Sequence, residues 1–351
     1  MTISEKNIAK FRFCLRPSRS PTYYNLSRFL HEKGWQTTFF NWRSNFNERH
    51  FQFDHKAAEA LEFKHLLAQL VDQFGIMPET YCINDQNWPS VLKAVANKFY
   101  NQNKELSEPI DKIINKPVDN LVWILKPALL NNGKEIKIFQ QLSQIEAHYL
   151  NKNRLGGDHV LQHYIMRPHL LNGHKYTIRM FLIATNYTGS YIYPKGYFNV
   201  ALDPYQANEF SDLAPHLTNE HFKEDESNVM QVPIQCYASF KPIYEQILGI
   251  TRSTMSALQK QHPGAFICQK QRRLAIFGFD FLVDDQLRVW LLEANHGPCF
   301  PISDEHSLQK HLYYDFWQAF IDNFVLPIAT NQQADLKLAK GPFEQICGHS
   351  V

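Results

Sequence analysis

Asp280, Glu293 and Asn295 are polar side chains set inside two apolar runs, and that setting is the strongest chemical signal in this sequence. The runs are Phe277-Gly-Phe-Asp280-Phe-Leu-Val-Asp284 and Trp290-Leu-Leu-Glu293-Ala-Asn295-His-Gly-Pro298, and their alternation has a period near two. Asp284-Asp285-Gln286 between them predicts a hairpin turn. Residues two apart on a strand share a face, so Val289, Leu291, Glu293 and Asn295 are expected to point the same way. Carboxylates in apolar strands are expensive to bury unless a cation compensates them. Oxygen donors without His or Cys favour Mg²⁺, which usually brings a phosphate with it. These residues therefore point to a nucleotide enzyme.

Cationic residues add to that reading. Lys126 ends the apolar run Val122-Trp-Ile-Leu-Lys126 just before a turn at Gly133. A lysine ammonium bridges phosphate oxygens well, and the turn's N–H groups could close over them. A surface lysine beside an ordinary hairpin is the alternative. Lys175, Thr177 and Arg179 share one face of a second apolar strand, with Tyr176, Ile178 and Met180 on the other. Two cations there call for an anionic partner, either a phosphate or nearby carboxylates. Gln162-His-Tyr164-Ile165 lies between these elements, where backbone and apolar groups could frame an adenine or simply belong to the core.

The elements that must position these residues follow from periodicity. Apolar residues from Leu61 to Phe74 recur every three or four positions and predict one amphipathic helix over 57–74, stopped by Gly75. Met77-Pro78-Glu79-Thr80-Tyr81 reads as an extended linker. Helices are expected around 88–100, 141–151 and 243–259, and 101–107 as exposed chain. Pro204 to Val232 reads as a long irregular excursion near a site. Leu308, Leu312, Phe316, Phe320 and Phe324 step by four in a helix that Pro327 should stop, and the residues after about Thr330 read as a loosely docked tail.

With 351 residues, 44% hydrophobic, the chain can fill two or three lobes. A net charge of +2 demands neither nucleic acid nor an anionic membrane as partner. The six cysteines form no Cys-x-x-Cys pair, which argues against a zinc site or a disulfide framework and for reduced thiols. No apolar span of membrane length and no signal-peptide pattern is present, so a soluble, cytoplasmic protein is expected.

The order of these pieces resembles the tubulin–tyrosine ligase family of ATP-grasp enzymes. The resemblance is carried by Trp123-Ile-Leu-Lys126-Pro127, Asn131-Asn-Gly133, Gln162-His-Tyr-Ile165 and Pro168-His-Leu-Leu-Asn-Gly-His-Lys175-Tyr-Thr-Ile-Arg179. It continues through His216-Leu-Thr218-Asn219, Phe277-Gly-Phe-Asp280 and Leu292-Glu293-Ala-Asn295-x-x-Pro298. It implies an α+β chain in which two lobes (83–185 and 186–330) clasp ATP, with a smaller α/β lobe (1–82) in front and a tail (331–351) behind. By the same resemblance Lys126 and Gly133 would meet phosphates, and Gln162, Tyr164 and Ile165 would frame adenine. Thr218 and Asn219 would lie beside the nucleotide. Lys175 and Arg179 would face the transferred phosphate, and Asp280, Glu293 and Asn295 would hold Mg²⁺.

The implied reaction joins a free amino acid to a protein acceptor, tubulin among the candidates, through an acyl phosphate, in a monomeric enzyme. Three positions depart from the family pattern. Thr177 stands where an acid is usual, Glu135 where a second glycine is usual, and Asn199 where an arginine is usual. Those departures keep two alternatives in view: a weak or inactive member that binds nucleotide or a partner, and a ligase acting on small molecules.

Overall fold

A computed structural model describes residues 11–102, 122–131, 133–219, 227–331 and 341–348. The N-terminal run Phe11-Arg-Phe-Cys-Leu15 holds β1 (Arg12–Cys14), the centre of a parallel sheet between β2 (Gln36–Thr37) and β3 (Phe46–Asn47). Helix α1 (Pro21–Glu32) lies between β1 and β2 in the chain. Ser20 caps it by accepting from the Tyr23 N–H at 3.2 Å, and Pro21 sits in the first turn, where a missing N–H costs nothing.

The single helix expected over 57–74 is instead two, α2 (His55–Glu62) and α3 (Lys64–Val71), parted by Phe63 in an extended conformation (φ −82°, ψ 118°). The apolar period runs through the break without a fault, so periodicity alone could not reveal it. A short 3₁₀ turn follows α3, and Gly75 ends it in the left-handed region, as a C-terminal glycine should.

Next comes a four-stranded antiparallel sheet in the order β4-β7-β5-β6. It is built from β4 (Thr80–Ile83), helix α4 (Trp88–Gln102), β5 (Trp123–Pro127), β6 (Lys137–Phe139), helix α5 (Leu142–Leu150) and β7 (His159–His163). Residues 101 and 102 extend α4, and 103–107 lie outside the described residues. Trp123, Leu125 and Leu161 pack with Val95, Ile145 and Tyr149 of α4 and α5 on one face. Alternation leaves Ile124, Lys126 and Gln162 on the other.

The largest sheet has seven strands. They are β8 (Leu170–Leu171), β9 (His174–Thr185), β10 (Gly189–Ala201), β11 (Val229–Pro233) and, after helix α6 (Lys241–Gln261), β12 (Leu274–Val283) and β13 (Val289–His296), with one more from the C-terminal segment. Its main path is β11-β10-β9-β12-β13, all antiparallel. The boundary expected at 185/186 falls at the turn of the continuous β9–β10 hairpin. Tyr176, Ile178 and Met180 face α2, α3 and α6 in one core cluster. On the opposite face Phe181 and Ile183 enter an aromatic core with Leu26 and Phe29 of α1 and the C-terminal helix. Lys175, Thr177 and Arg179 occupy the rest of that face.

That C-terminal helix is not a plain α-helix. A π-turn at Gln309–Tyr313 precedes α7 (Tyr314–Phe320), and a second at Ile321–Val325 precedes the short α8 (Leu326–Ala329). The physical reason is the spacing of its apolar residues. A step of four at 3.6 residues per turn drifts by about 40° each time, and wider π-turns cancel the drift. Leu308, Leu312, Phe316, Phe320 and Phe324 are all fully buried as a result. Pro327 therefore sits in the first turn of α8 rather than stopping the helix. The expected tail contributes β14 (Glu344–Cys347), an antiparallel partner of β10, and buries Phe343 and Ile346. Among the described residues no helix is long and apolar enough to cross a membrane.

Candidate active site

A cavity of about 360 Å³ lies between the two antiparallel sheets. Its first wall comes from β5 and β7. Lys126 is only 8% exposed, which rules out the surface-lysine alternative. Its ammonium donates to Gln162 Oε1 at 2.9 Å, and Gln162 Nε2 donates to Thr80 Oγ1 at 2.8 Å. Burial pulls the Lys126 ammonium down to about 8, with Glu293 opposing and Lys64 assisting.

Lys175 reaches across from β9 and donates to the Tyr164 hydroxyl at 2.9 Å, its Nζ 4.3 Å from the centre of that ring. Burial, helped by Lys126, brings its ammonium down to about 7. The Tyr164 hydroxyl also bonds His216 Nδ1 at 2.8 Å, which ties the excursion after β10 to the first wall. Ile165, Thr218 and Asn219 line the same end. Gly133 does not line the cavity; it is buried in the turn before β6 at φ 72°.

The second wall carries the acids. Strict alternation would have put Leu291 beside Glu293, but the β12–β13 register shifts after the Asp280–Glu293 pair, and Phe281 meets Leu291. This bulge at Leu292 turns Leu291 into the core and swings Leu292, Glu293 and Asn295 to the cavity. The expected common face of Val289, Leu291, Glu293 and Asn295 is therefore corrected, and the bulge is what aims the acids.

Arg179 grips Asp280 through two parallel bonds, Nε to Oδ1 at 2.5 Å and Nη2 to Oδ2 at 2.7 Å. Of the two partners the Lys175–Arg179 pattern calls for, Arg179 has a carboxylate, and its side chain also lines the cavity. Asn295 Nδ2 lies 3.1 Å from Asp280 Oδ2 and 3.2 Å from Glu293 Oε1. Burial would raise Glu293, but Lys64, Lys126 and the Asn295 amide hold it down to about 2. Burial lifts Asp280 to about 6 against the pull of Arg179, with Glu293 adding to the rise.

Two adjacent carboxylates and an amide within reach of both fit a hard divalent cation. Among the described residues no cluster of three or more His, Cys, Asp or Glu side chains could hold a metal. Asp280, Glu293 and Asn295 are the side chains that could hold a cation of the Mg²⁺ kind, which takes one or two carboxylates and leaves the rest of its shell to water and substrate oxygens.

Three residues with no role assigned from the sequence also shape the cavity. Lys64, first in α3, is buried, donates to the Leu130 carbonyl at 2.8 Å and lies 3.7 Å from Glu293 Oε2. It occupies an apolar-face position, with Leu67, Ala68 and Val71 at the following steps, and a charge there is the signal that could have exposed it. Gly278 lies under Arg179. Gln231, from the strand that ends the supposedly irregular excursion, faces Asn199. Of the departures, Thr177 and Asn199 line the cavity, whereas Glu135 is exposed in the turn at φ 58°.

The tubulin-tyrosine ligase family model matches residues 39–334. A mouse protein named "Probable tubulin polyglutamylase TTLL2" is 25% identical over 215 residues, which are 55% of this chain and 37% of the mouse protein. "Tubulin glycylase 3C" of Tetrahymena thermophila is 24% identical over 249 residues, 64% of this chain and 22% of its own. A human protein named "Inactive polyglycylase TTLL10" is 27% identical over 209 residues, 50% of this chain and 31% of its own. The chain spans less than half the length of each of these relatives.

Proposed function

The chain belongs to the tubulin-tyrosine ligase family, and from that membership and the make-up of its cavity we propose an ATP- and Mg²⁺-dependent ligase of ATP-grasp architecture that joins an amino acid's amine to a carboxylate of a protein acceptor. The observation that carries this reading is the facing of Lys126 and Gln162 against the Arg179–Asp280–Glu293 group across one cavity. The names of the relatives make tubulin the first acceptor to try.

In this reading the substrate ATP lies with its base by Gln162, Tyr164 and Ile165, its ribose near Thr218 and Asn219, and its phosphates toward Lys126 and Lys175. Asp280, Glu293 and Asn295 would hold Mg²⁺, which would neutralise phosphate charge. Lys126 and Lys175, held short of full protonation by burial, take up their full charge as anionic oxygens approach. Arg179 faces the transferred phosphoryl group, and Asp280 fixes the plane of its guanidinium. The acceptor carboxylate attacks the γ-phosphorus and ADP leaves. The amine then attacks the acyl carbon, phosphate departs, and the nitrogen gives up a proton. Positioning and charge stabilisation suffice for both steps, so no side-chain nucleophile is required.

A second reading, nucleotide binding without ligation, is favoured by the uncharged Thr177 and Asn199 on the same wall. Intact-mass analysis separates the two. The protein is incubated with Mg²⁺-ATP, an amino-acid mixture and candidate acceptors that include tubulin. Ligation adds the mass of an amino-acid residue to an acceptor and forms ADP. Stabilisation by Mg²⁺-ATP with no adduct would select the second reading, and the absence of both would sink the nucleotide assignment.

A further inference from the structure

Thr177, Asn199 and Gln231 form one row across three adjacent strands. Thr177 of β9 is the register partner of Asn199 of β10, and Asn199 is the partner of Gln231 of β11. All three line the cavity, and Thr177 and Asn199 are almost fully buried. Hydrogen bonds hold the row in place: Thr177 and Thr218 hydroxyls meet at 2.8 Å, and Gln231 Nε2 donates to Asn199 Oδ1 at 3.1 Å.

The row carries no charge, and the cavity's cations are engaged elsewhere. Arg179 is bound to Asp280, Lys175 to Tyr164 and Lys126 to Gln162. Lys64 lies beside Glu293. The row also lies apart from the metal corner in the strand order. In the strand order β11-β10-β9-β12-β13 the acids lie on one side of β9, and Asn199 and Gln231 lie on the other. Arg179, two residues from Thr177 on the same strand, stands between them.

The geometry points to this row as the surface that reads the side chain of the amino-acid substrate, selecting an uncharged side chain over an acidic one. The inference rests on the ligase reading and names its substrate class. A carboxylate pressed against the row loses water and meets amides and hydroxyls, while the flanking cations of that face, Lys175 and Arg179, are turned to Tyr164 and Asp280. A carboxamide finds both donors and acceptors there. Specificity of this kind comes from the penalty on the wrong partner as much as from contacts to the right one.

Glutamine and glutamate are a near-isosteric pair that isolates the charge. Calorimetric titration of each, with glycine alongside, into the full chain holding Mg²⁺ and a non-hydrolysable ATP analogue reads the preference without turnover. Glutamine and glycine should bind at least about tenfold more tightly than glutamate, the equivalent of one lost charge-matched contact. Gln231→Arg, on the outermost strand of the row, should reverse the order of glutamine and glutamate. Equal or tighter binding of glutamate to the wild type overturns the inference and leaves the ligase reading intact. If Gln231→Arg alters nucleotide affinity but not amino-acid preference, the row serves the nucleotide and the inference falls. Binding of the analogue with no binding of any amino acid overturns the inference and the ligase reading together.

Discussion

The Arg179 side chain reaches Asp280 by passing over the bare backbone of Gly278. A Cβ at Gly278 would lie 2.9 Å from Arg179 Cδ and 3.0 Å from both Nη1 and the Pro298 Cβ. The glycine therefore fixes where the guanidinium can lie, and with it the acid that Arg179 holds.

Gly278→Ala should move Arg179 without deleting it. That is a cleaner test than removing either ion-pair partner, since breaking a buried pair costs about 3–5 kcal/mol and risks the fold. Overpacking of this kind costs about 1–3 kcal/mol, which a melting curve of the free protein reports. Stabilisation by Mg²⁺-ATP should fall well below the wild-type value. If it stays unchanged while the free protein melts lower, as displacement of Arg179 requires, the position of Arg179 does not matter to nucleotide binding.

Lys64→Met keeps most of the side-chain volume and removes the charge that faces Glu293. Lys64 stands 3.7 Å from Glu293 Oε2, an ion-pair rather than a hydrogen-bond distance, and removing one partner of a buried pair leaves the other charge uncompensated, so Mg²⁺-ATP affinity should fall by about tenfold, the equivalent of about 1.4 kcal/mol. The Glu293 carboxyl, losing its nearest cation, should rise from its depressed value. Isothermal titration measures the first effect. Unchanged affinity would make Lys64 a purely structural partner of the Leu130 carbonyl.

That Asp280, Glu293 and Asn295 face the cavity could be read from the sequence, because two acids in a period-two apolar pattern have few structural explanations. Lys175 and Arg179 were legible for the same reason. What escaped was set by tertiary packing. The break at Phe63 leaves the helical period intact, the bulge at Leu292 adds a residue without changing composition, and the π-turns keep every apolar residue of the last helix in place. Each of these re-aims a side chain, and Lys64, Leu291 and Pro327 were therefore the residues placed least well. The row through Gln231 needed the pairing of β11, which begins inside a segment that reads as irregular.

Nucleotide binding should take up protons at pH 8. Lys126 and Lys175 are held down to about 8 and about 7 in the free protein, chiefly by burial. Phosphate oxygens favour the charged ammonium and raise both values. At pH 8 the complex therefore holds more protons than the free protein, and affinity falls as pH rises from about 7. The same two groups bind fewer protons folded than unfolded between about 7 and their ordinary value of about 10.5, so their contribution to stability improves as pH rises through that window. Titrations in buffers of different ionisation enthalpy give the proton count. A count of zero, or net release, would contradict the role of these lysines.

Glu135 offers a last test, because strain and charge can be separated there. Its φ of 58° places a non-glycine residue in the left-handed region, in the turn where the Ile136 N–H donates to the Gly133 carbonyl at 3.2 Å. That conformation costs an L-residue about 1–2 kcal/mol, partly offset by the chain entropy that a glycine loses on folding. Glu135→Gly should thus raise stability by about 0.5–1 kcal/mol, a shift of about 1–2 °C in a chain of this size. Glu135→Gln keeps the strain and removes the charge, so its melting temperature should stay near the wild type. A gain in Mg²⁺-ATP affinity shared by both variants would mean that the Glu135 carboxylate repels the phosphates. A gain confined to the glycine variant would mean that the turn closes more readily once its strain is gone. If Glu135→Gly melts no higher than Glu135→Gln, the turn stores no strain at this residue.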